Sequence, residues 1–302
     1  MKRIFIYFFV AVAFVFVLVS CNKDMPGKDA LEEQVPVEFT LDGEITATVD
    51  TRATEVSTST LSSMNVTATT GSTSETQVSN FGNVSFTKSN NVWRGGKYWP
   101  ASNPSYHFYA ANMSMTHTTN GQTVSPTNAN TDVVVGYLAS PTYKQSNALT
   151  MNHIFAQIGT TTITAPSGFT VTDLKVSVAP KTSGTYNLKS GTWTSRGNAG
   201  SAQYLVGTSN SGASISTAGG STNGGDKDLW LVPDTYTLTV SYKLVAGGVS
   251  SDTINKTASV VIAQGKNNNI SATLPADGAP TEIEFTVTVT AWENQNQGVT
   301  WN

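Results

Sequence analysis

The sequence is poor in cysteine and in charge. Its only cysteine is Cys21, so no disulfide within the chain and no cysteine-based metal site can form. Charged residues make up 12% of the 302 residues and the formal net charge is -3, whereas roughly a quarter of an average protein is charged. No basic patch is present, so we expect no nucleic-acid partner. Because no disulfide can form, we expect the fold to be held together by core burial.

Residue patterns that support catalysis are also missing. The three histidines, His107, His117 and His153, do not have the spacing of metal ligands. The chain contains no G-x-S-x-G elbow, no phosphate-binding loop and no H-E-x-x-H motif. His153 lies in an alternating apolar segment, and we interpret it as a packed, hydrogen-bonded core residue. We therefore expect no enzyme activity, no cofactor and no metal site.

The first residues have the pattern of an export signal. A basic start at residues 1–3 precedes an apolar run, and Leu18-Val19-Ser20-Cys21 resembles the lipobox of bacterial lipoproteins. We predict a lipoprotein signal peptide at residues 1–20, acylation of Cys21 and a polar tether at residues 21–34. The alternative is a transmembrane anchor, since the apolar run approaches spanning length.

Alternation of apolar and other residues dominates the remaining chain. No helical stripe follows Ser20, and Thr, Ser, Asn and Gly are abundant, which favours strands and turns. A hairpin is predicted around Gly247-Gly248, and residues 151–163 are predicted as one strand. Two further alternating series are Val35, Val37, Phe39 and Leu41, and Ile283, Phe285, Val287 and Val289, which ends at Trp292.

Many short strands separated by turns predict an all-β fold of sandwiches or barrels. A Pro/Asn/Ser-rich break at residues 139–147 predicts a boundary between two domains, at residues 35–147 and 148–302.

Four local patterns resemble the fimbrillin family of Bacteroidales surface proteins, the subunits of type V pili. The resemblance extends over essentially the whole chain after the signal peptide. The patterns are Thr51-Arg52-Ala53, Tyr98-Trp99-Pro100 with residues 106–111, residues 149–158, and residues 264–270 followed by residues 285–292.

The resemblance implies two tandem transthyretin-like β-sandwich domains and a lipoprotein of the outer membrane, exposed at the cell surface and assembled into fimbriae. In such pili an arginine-specific protease cuts near the N-terminus, which removes the first strand and opens a groove. A C-terminal strand from the next subunit then fills that groove. Here this implies cleavage between Arg52 and Ala53, removal of residues 35–52, and a donor strand within residues 281–302. The implied partners are other pilus subunits, with host or bacterial surface ligands in adhesion.

Each of these implications has an alternative. Arg52 could be an exposed solubilising residue, and the strand that begins at Ile283 could be an ordinary core strand of its own domain. The six tryptophans could form a sugar-binding platform, although aromatic side chains at strand ends more often fill sandwich cores. The competing function is a monomeric outer-membrane surface lipoprotein that binds glycan or host protein.

Overall fold

A computed structural model describes residues 34–43, 45, 56–100, 102, 105–129, 131–224, 229–276, 283 and 285–291. Every regular element in these ranges is a β-strand, so the predicted all-β class is confirmed. The first eleven strands are β1 (Pro36–Leu41), β2 (Ser63–Thr70), β3 (Thr76–Gln77), β4 (Val84–Ser89), β5 (Val92–Tyr98), β6 (Tyr106–Ala111), β7 (Thr116–Thr118), β8 (Gly121–Val124), β9 (Val134–Leu138), β10 (Ser146–Leu149) and β11 (Met151–His153).

The remaining strands are β12 (Ala156–Thr164), β13 (Thr170–Val178), β14 (Gly184–Asn187), β15 (Thr192–Arg196), β16 (Gln203–Val206), β17 (Ala213–Ile215), β18 (Ser221–Gly224), β19 (Leu229–Leu231), β20 (Thr235–Ala246), β21 (Val249–Ser250), β22 (Ile254–Val261), β23 (Lys266–Thr273) and β24 (Phe285–Ala291).

The N-terminal half forms one nine-stranded sheet. Its order is β10-β1-β5-β4-β2-β6-β9-β11, and β3 pairs with β2. Asn90 and Asn91 both adopt positive φ between β4 and β5, as a tight hairpin turn requires. Buried aromatic rings of Phe39, Phe86 and Phe108 form the centre of the core on one side of this sheet.

The C-terminal half is a sandwich of two sheets around a second core. One sheet has the order β18-β12-β23-β24 with β19 beside β12, and the other has β16-β13-β20-β21 with β17 beside β13 and β22 beside β20. The hairpin predicted at Gly247-Gly248 is confirmed, because β20 and β22 pair from Thr235–Val261 to Tyr242–Ile254. Both glycines have positive φ, which lets the chain turn there.

A small fourth sheet contains strands from both halves. Its order is β15-β14-β8-β7, with Tyr186 of β14 opposite Val124 of β8. The sheet packs over a third apolar cluster that includes Tyr109, Trp193 and Trp230. The domain boundary near residue 147 stays a prediction. Strands β10 and β11 lie on either side of Thr150, and both belong to the N-terminal sheet.

The strand predicted at residues 151–163 is interrupted. Ile154 and Phe155 connect β11 of the nine-stranded sheet to β12 of the C-terminal sandwich. Tertiary hydrogen bonds hold this crossing: Ile154 N donates to Val133 O at 3.1 Å and Trp193 Nε1 donates to Ile154 O at 3.1 Å. An unbroken apolar pattern does not reveal that its two ends belong to different sheets, and the single-strand prediction was wrong for this reason.

Candidate functional site

Strand β1 lies between two other strands although it comes first in the chain. It pairs in parallel with β10, from Glu38–Ser146 to Leu41–Leu149, and antiparallel with β5, where Phe39 lies opposite Trp93. Further backbone bonds run from Asp42 N to Leu149 O and from Trp99 N to Val35 O, both at 2.9 Å. Loss of β1 would therefore leave unpaired backbone groups on two neighbours.

The inner face of β1 is part of the core. Val37 is 2% exposed and Phe39 is fully buried. The Phe39 ring lies 5.5 Å from the ring of Phe86 and 5.0 Å from that of Phe108, the latter in an edge-on arrangement. Burial of one such side chain stabilises a fold by about 1.5–3 kcal/mol, so the pocket that holds Phe39 would be strongly unfavourable if left empty.

The outer face of β1 carries one ion pair that matches its register. Arg94 Nε donates to Glu38 Oε1 at 2.5 Å, and the two residues are direct partners in the pairing of β5 with β1. The side chain of Arg94 is 49% exposed, so this pair contributes at most about 1 kcal/mol. Its position across the strands gives it a role in alignment more than in stability.

The residues that border segment 46–55 are anchored by hydrogen bonds. Ile45 is buried, its N–H donates to Thr58 Oγ1 at 2.6 Å, and Thr58 N donates to Ile45 O at 3.0 Å. Val56 N donates to the buried carboxylate of Asp132 at 2.9 Å. Both ends of residues 46–55 are thus held in place. Arg52 and Ala53 lie within this segment and, like Cys21, outside the described residues.

Strand β24 lies at the edge of its sheet and pairs only with β23 in the part of the chain that the structure describes. Phe285 lies opposite Ala272 and Val287 opposite Ile270. Phe285 and Val287 pack against the C-terminal core but stay partly exposed, and Val289 is 45% exposed.

Preceding β24, Ile283 is 1% exposed. Four of the five candidate donor residues therefore lie in or directly before this edge strand, while Trp292 lies outside the described residues.

A buried carboxylate that sequence reasoning missed joins the two halves. Glu75 Oε1 accepts from Lys189 Nζ at 2.7 Å, and Glu75 also accepts from Tyr109 at 2.8 Å and from Thr69 at 2.6 Å. Burial alone would raise the pKa of Glu75, but the hydrogen bonds from Lys189, Thr69 and Tyr109 hold it below its usual value. Burial and the adjacent carboxylate both raise the pKa of Tyr109. No local sequence signal links Glu75 to a lysine 114 residues away.

The histidines do not form a shared site. His153 is 8% exposed and its Nδ1 lies 2.8 Å from Asp132 Oδ2, so the interpretation as a packed core residue is confirmed. His107 Nδ1 lies 3.0 Å from the Tyr137 hydroxyl. Within the described ranges, no group of three or more His, Cys, Asp or Glu residues could hold a metal ion.

The tryptophans of the described regions fill the cores. Trp93, Trp99, Trp193 and Trp230 are all at most 7% exposed, which matches the core interpretation and leaves no exposed platform among these four. The described residues also contain no helix long and apolar enough to cross a membrane.

Comparison with known proteins identifies the family. The fimbrillin-like family model matches residues 51–292. A fimbrial protein from Bacteroides vulgatus is similar in structure, with a TM-score of 0.60 and 13% identity over 85% of this chain and 99% of that one. A candidate cell adhesion protein from Bacteroides ovatus has a TM-score of 0.50 and 11% identity over 87% of this chain and 99% of that one. No curated protein matches the sequence significantly. The match to the family model spans most of the sequence, and the chain therefore belongs to the fimbrillin-like family of fimbrial structural proteins.

Proposed function

We propose that this fimbrial subunit assembles by exchange of strand β1 after cleavage at Arg52. The observation that carries the proposal is the position of β1. It has two paired neighbours and a buried Phe39, yet its only covalent link to the rest of the sheet runs through residues 46–55. A single cut in that link converts an integral core strand into a separate peptide held only by non-covalent contacts.

Removal of β1 would change one side of the N-terminal sheet and leave the rest connected. The order β5-β4-β2-β6-β9-β11 does not depend on β1, whereas β10 is attached to this sheet through β1. The vacated strip would expose the pocket of Phe39 together with backbone donors and acceptors of β5 and β10. Such a groove accepts an extended strand through main-chain hydrogen bonds and alternate side chains.

Strand β24 is the proposed donor, in continuation with residues 292–302. It is an edge strand, so its departure breaks backbone pairing to β23 only, together with the packing of Ile283, Phe285 and Val287 against the C-terminal core. Its apolar residues alternate as those of β1 do, which is the pattern that the groove requires. The presence of both a removable strand and a donor strand favours a subunit of the fimbrial stalk.

The proposal includes export as a lipoprotein and transient anchoring of the precursor through Cys21 in the outer membrane. Cleavage after Arg52 would separate the lipid, the tether and β1 from the remaining chain in one step. The freed subunit would then stay at the cell surface through its contacts with other pilus subunits, and adhesion to host or bacterial ligands would be a property of the assembled fimbria.

Limited digestion tests this sequence of events. A lipid-free chain starting at residue 22 keeps residues 35–302, which form one compact unit. Brief treatment with an arginine-specific protease should yield a new N-terminus at Ala53 and an SDS-resistant ladder on an unboiled gel. Arg94 and Arg196, the only arginines after Arg52, lie in strands β5 and β15 and should resist.

The matched control is Arg52→Gln, which should stay uncut and monomeric under the same conditions. Cutting at Arg52 without a ladder, or a native chain that resists the protease at this position, would refute assembly by cleavage. Either result would favour the competing function of a monomeric lipoprotein that binds glycan or host protein.

A further inference from the structure

Two segments at opposite ends of the chain carry nearly the same pentapeptide. The sequence of β1 contains Val37-Glu38-Phe39-Thr40-Leu41, and the segment that leads into β24 and includes its first three residues reads Ile283-Glu284-Phe285-Thr286-Val287. The three central residues are identical and the two outer ones are aliphatic in both. The first segment occupies the groove in the uncut subunit, and the second belongs to the proposed donor strand.

We propose that residues 283–287 of a second copy of this chain replace residues 37–41, position for position, when the subunits join. Phe285 then occupies the pocket of Phe39, and Glu284 faces Arg94. The inference rests on the proposed strand exchange and adds to it the identity of the partner, the direction of the incoming strand and its register.

The inner-face side chains of the two segments have nearly the same total volume. Phe285 is identical to Phe39, so the contacts with the rings of Phe86 and Phe108 can form again. At the position of Val37 the donor has Ile, one methylene larger, and at that of Leu41 it has Val, one methylene smaller. Volume-conserving apolar exchanges of this kind are the ones that cores tolerate best.

The outer face specifies the same register. Glu38 pairs with Arg94 directly across the strands, and the donor has a glutamate at the matching position. A shift of one residue would turn Phe285 away from the core. A shift of two would keep the alternation but move the glutamate away from Arg94 and the phenylalanine away from its pocket. Only the aligned register satisfies both faces.

The transfer also improves the surroundings of the donor strand. In its own subunit β24 pairs on one side, with β23, and Phe285 and Val287 stay partly exposed. In the groove the strand would pair with both β5 and β10, Phe285 would take the fully buried position of Phe39, and Val287 would take the partly buried position of Leu41. A strand that gains a second neighbour and full burial of its phenylalanine has a physical reason to move between copies.

Disulfide trapping tests the register directly. The lipid-free chain from residue 22 has no cysteine, so single cysteines can be added at will. Thr40 lies opposite Ala148 in the parallel pairing of β1 with β10. We therefore expect Thr286→Cys in one copy to cross-link to Ala148→Cys in another after cleavage at Arg52. Ala148 and Thr286 are both exposed, so neither substitution disturbs a core.

The matched control is Thr288→Cys, which is also exposed and belongs to the same strand. Mixed with Ala148→Cys, it should cross-link about tenfold less, because disulfides need Cα atoms within about 7 Å. A second control combines the Ala148→Cys chain with Arg52→Gln, which should block the cross-link. The linked peptides are identified by mass spectrometry.

Failure of the register and failure of the proposed function give different results. A ladder that forms while Thr288→Cys cross-links as well as Thr286→Cys would overturn the register and leave strand exchange standing. A ladder that requires a different subunit would overturn the second copy as the partner. Absence of any ladder after complete cleavage at Arg52 would overturn both proposals.

Discussion

Truncation of Phe39 separates the role of β1 from that of the donor strand. Phe39 is fully buried between Phe86 and Phe108, and truncation of such a phenylalanine to alanine costs about 3–5 kcal/mol. Phe285 is partly exposed at a sheet edge, so the same truncation there should cost only about 1–2 kcal/mol, in proportion to the apolar area it buries. Urea unfolding of the uncut chains should therefore show a larger loss for Phe39→Ala.

The order of the two variants should reverse once Arg52 is cut. Phe39→Ala weakens the hold on β1 but leaves the groove intact, and an incoming Phe285 would refill the pocket, so this variant should polymerise at least as fast as wild type. Phe285→Ala should be cut normally and polymerise poorly, because the donor then lacks its main anchor. Val289→Ala, which removes a 45% exposed side chain, serves as the control and should change little.

The assay is unfolding by urea in parallel with a time course of ladder formation after cleavage. A Phe39→Ala chain that is no less stable than Phe285→Ala would contradict the central position of β1. A Phe285→Ala chain that forms ladders at the wild-type rate would contradict β24 as the donor.

Three further outcomes are expected. Because the folded-state pKa of Glu75 lies below its ordinary value of 4.5, the stabilisation it provides is present above that value and is lost as the pH falls through the lower folded pKa. Between about pH 3 and pH 6, the melting temperature of Glu75→Gln should accordingly depend less on pH than that of the wild-type chain. Lys189→Met should leave a buried carboxylate without its cation and destabilise the fold by about 3 kcal/mol or less, given the partial exposure of the lysine, as measured by urea unfolding. Arg94→Glu should slow ladder formation several-fold at low salt, and mixing it with a Glu284→Arg donor should restore the rate. A wild-type rate for Arg94→Glu by itself, or no recovery of the rate in the mixture, would exclude a pairing of these two residues.

The period-two pattern was sufficient to predict the main strands of this chain. It located β1 through Val37 and Phe39, and β24 through Phe285 and Val287, because each strand has one face toward a core. It also located the hairpin at Gly247-Gly248, where two positive φ angles leave a composition signal. These features are local, so the sequence reveals them without knowledge of the fold.

Long-range pairing was not predictable from the same pattern. The parallel pairing of β1 with β10 joins residues more than a hundred positions apart, and nothing in either segment identifies its partner. The pairing of β8 with β14 and the buried Glu75–Lys189 contact were unpredictable for the same reason. Glu75 lies in the loop directly before β3, where a polar residue usually faces solvent, and only the assembled fold shows that it is enclosed.

The composition of purified polymer is the most direct test of strand exchange. Ladder material formed after cleavage is separated from free peptides, and its peptides are quantified by mass spectrometry. The expected result is polymer that begins at Ala53, contains residues 283–291 and lacks residues 35–41. Polymer that retains one copy of residues 35–41 per subunit would show that β1 never leaves its groove, and it would contradict assembly by strand exchange.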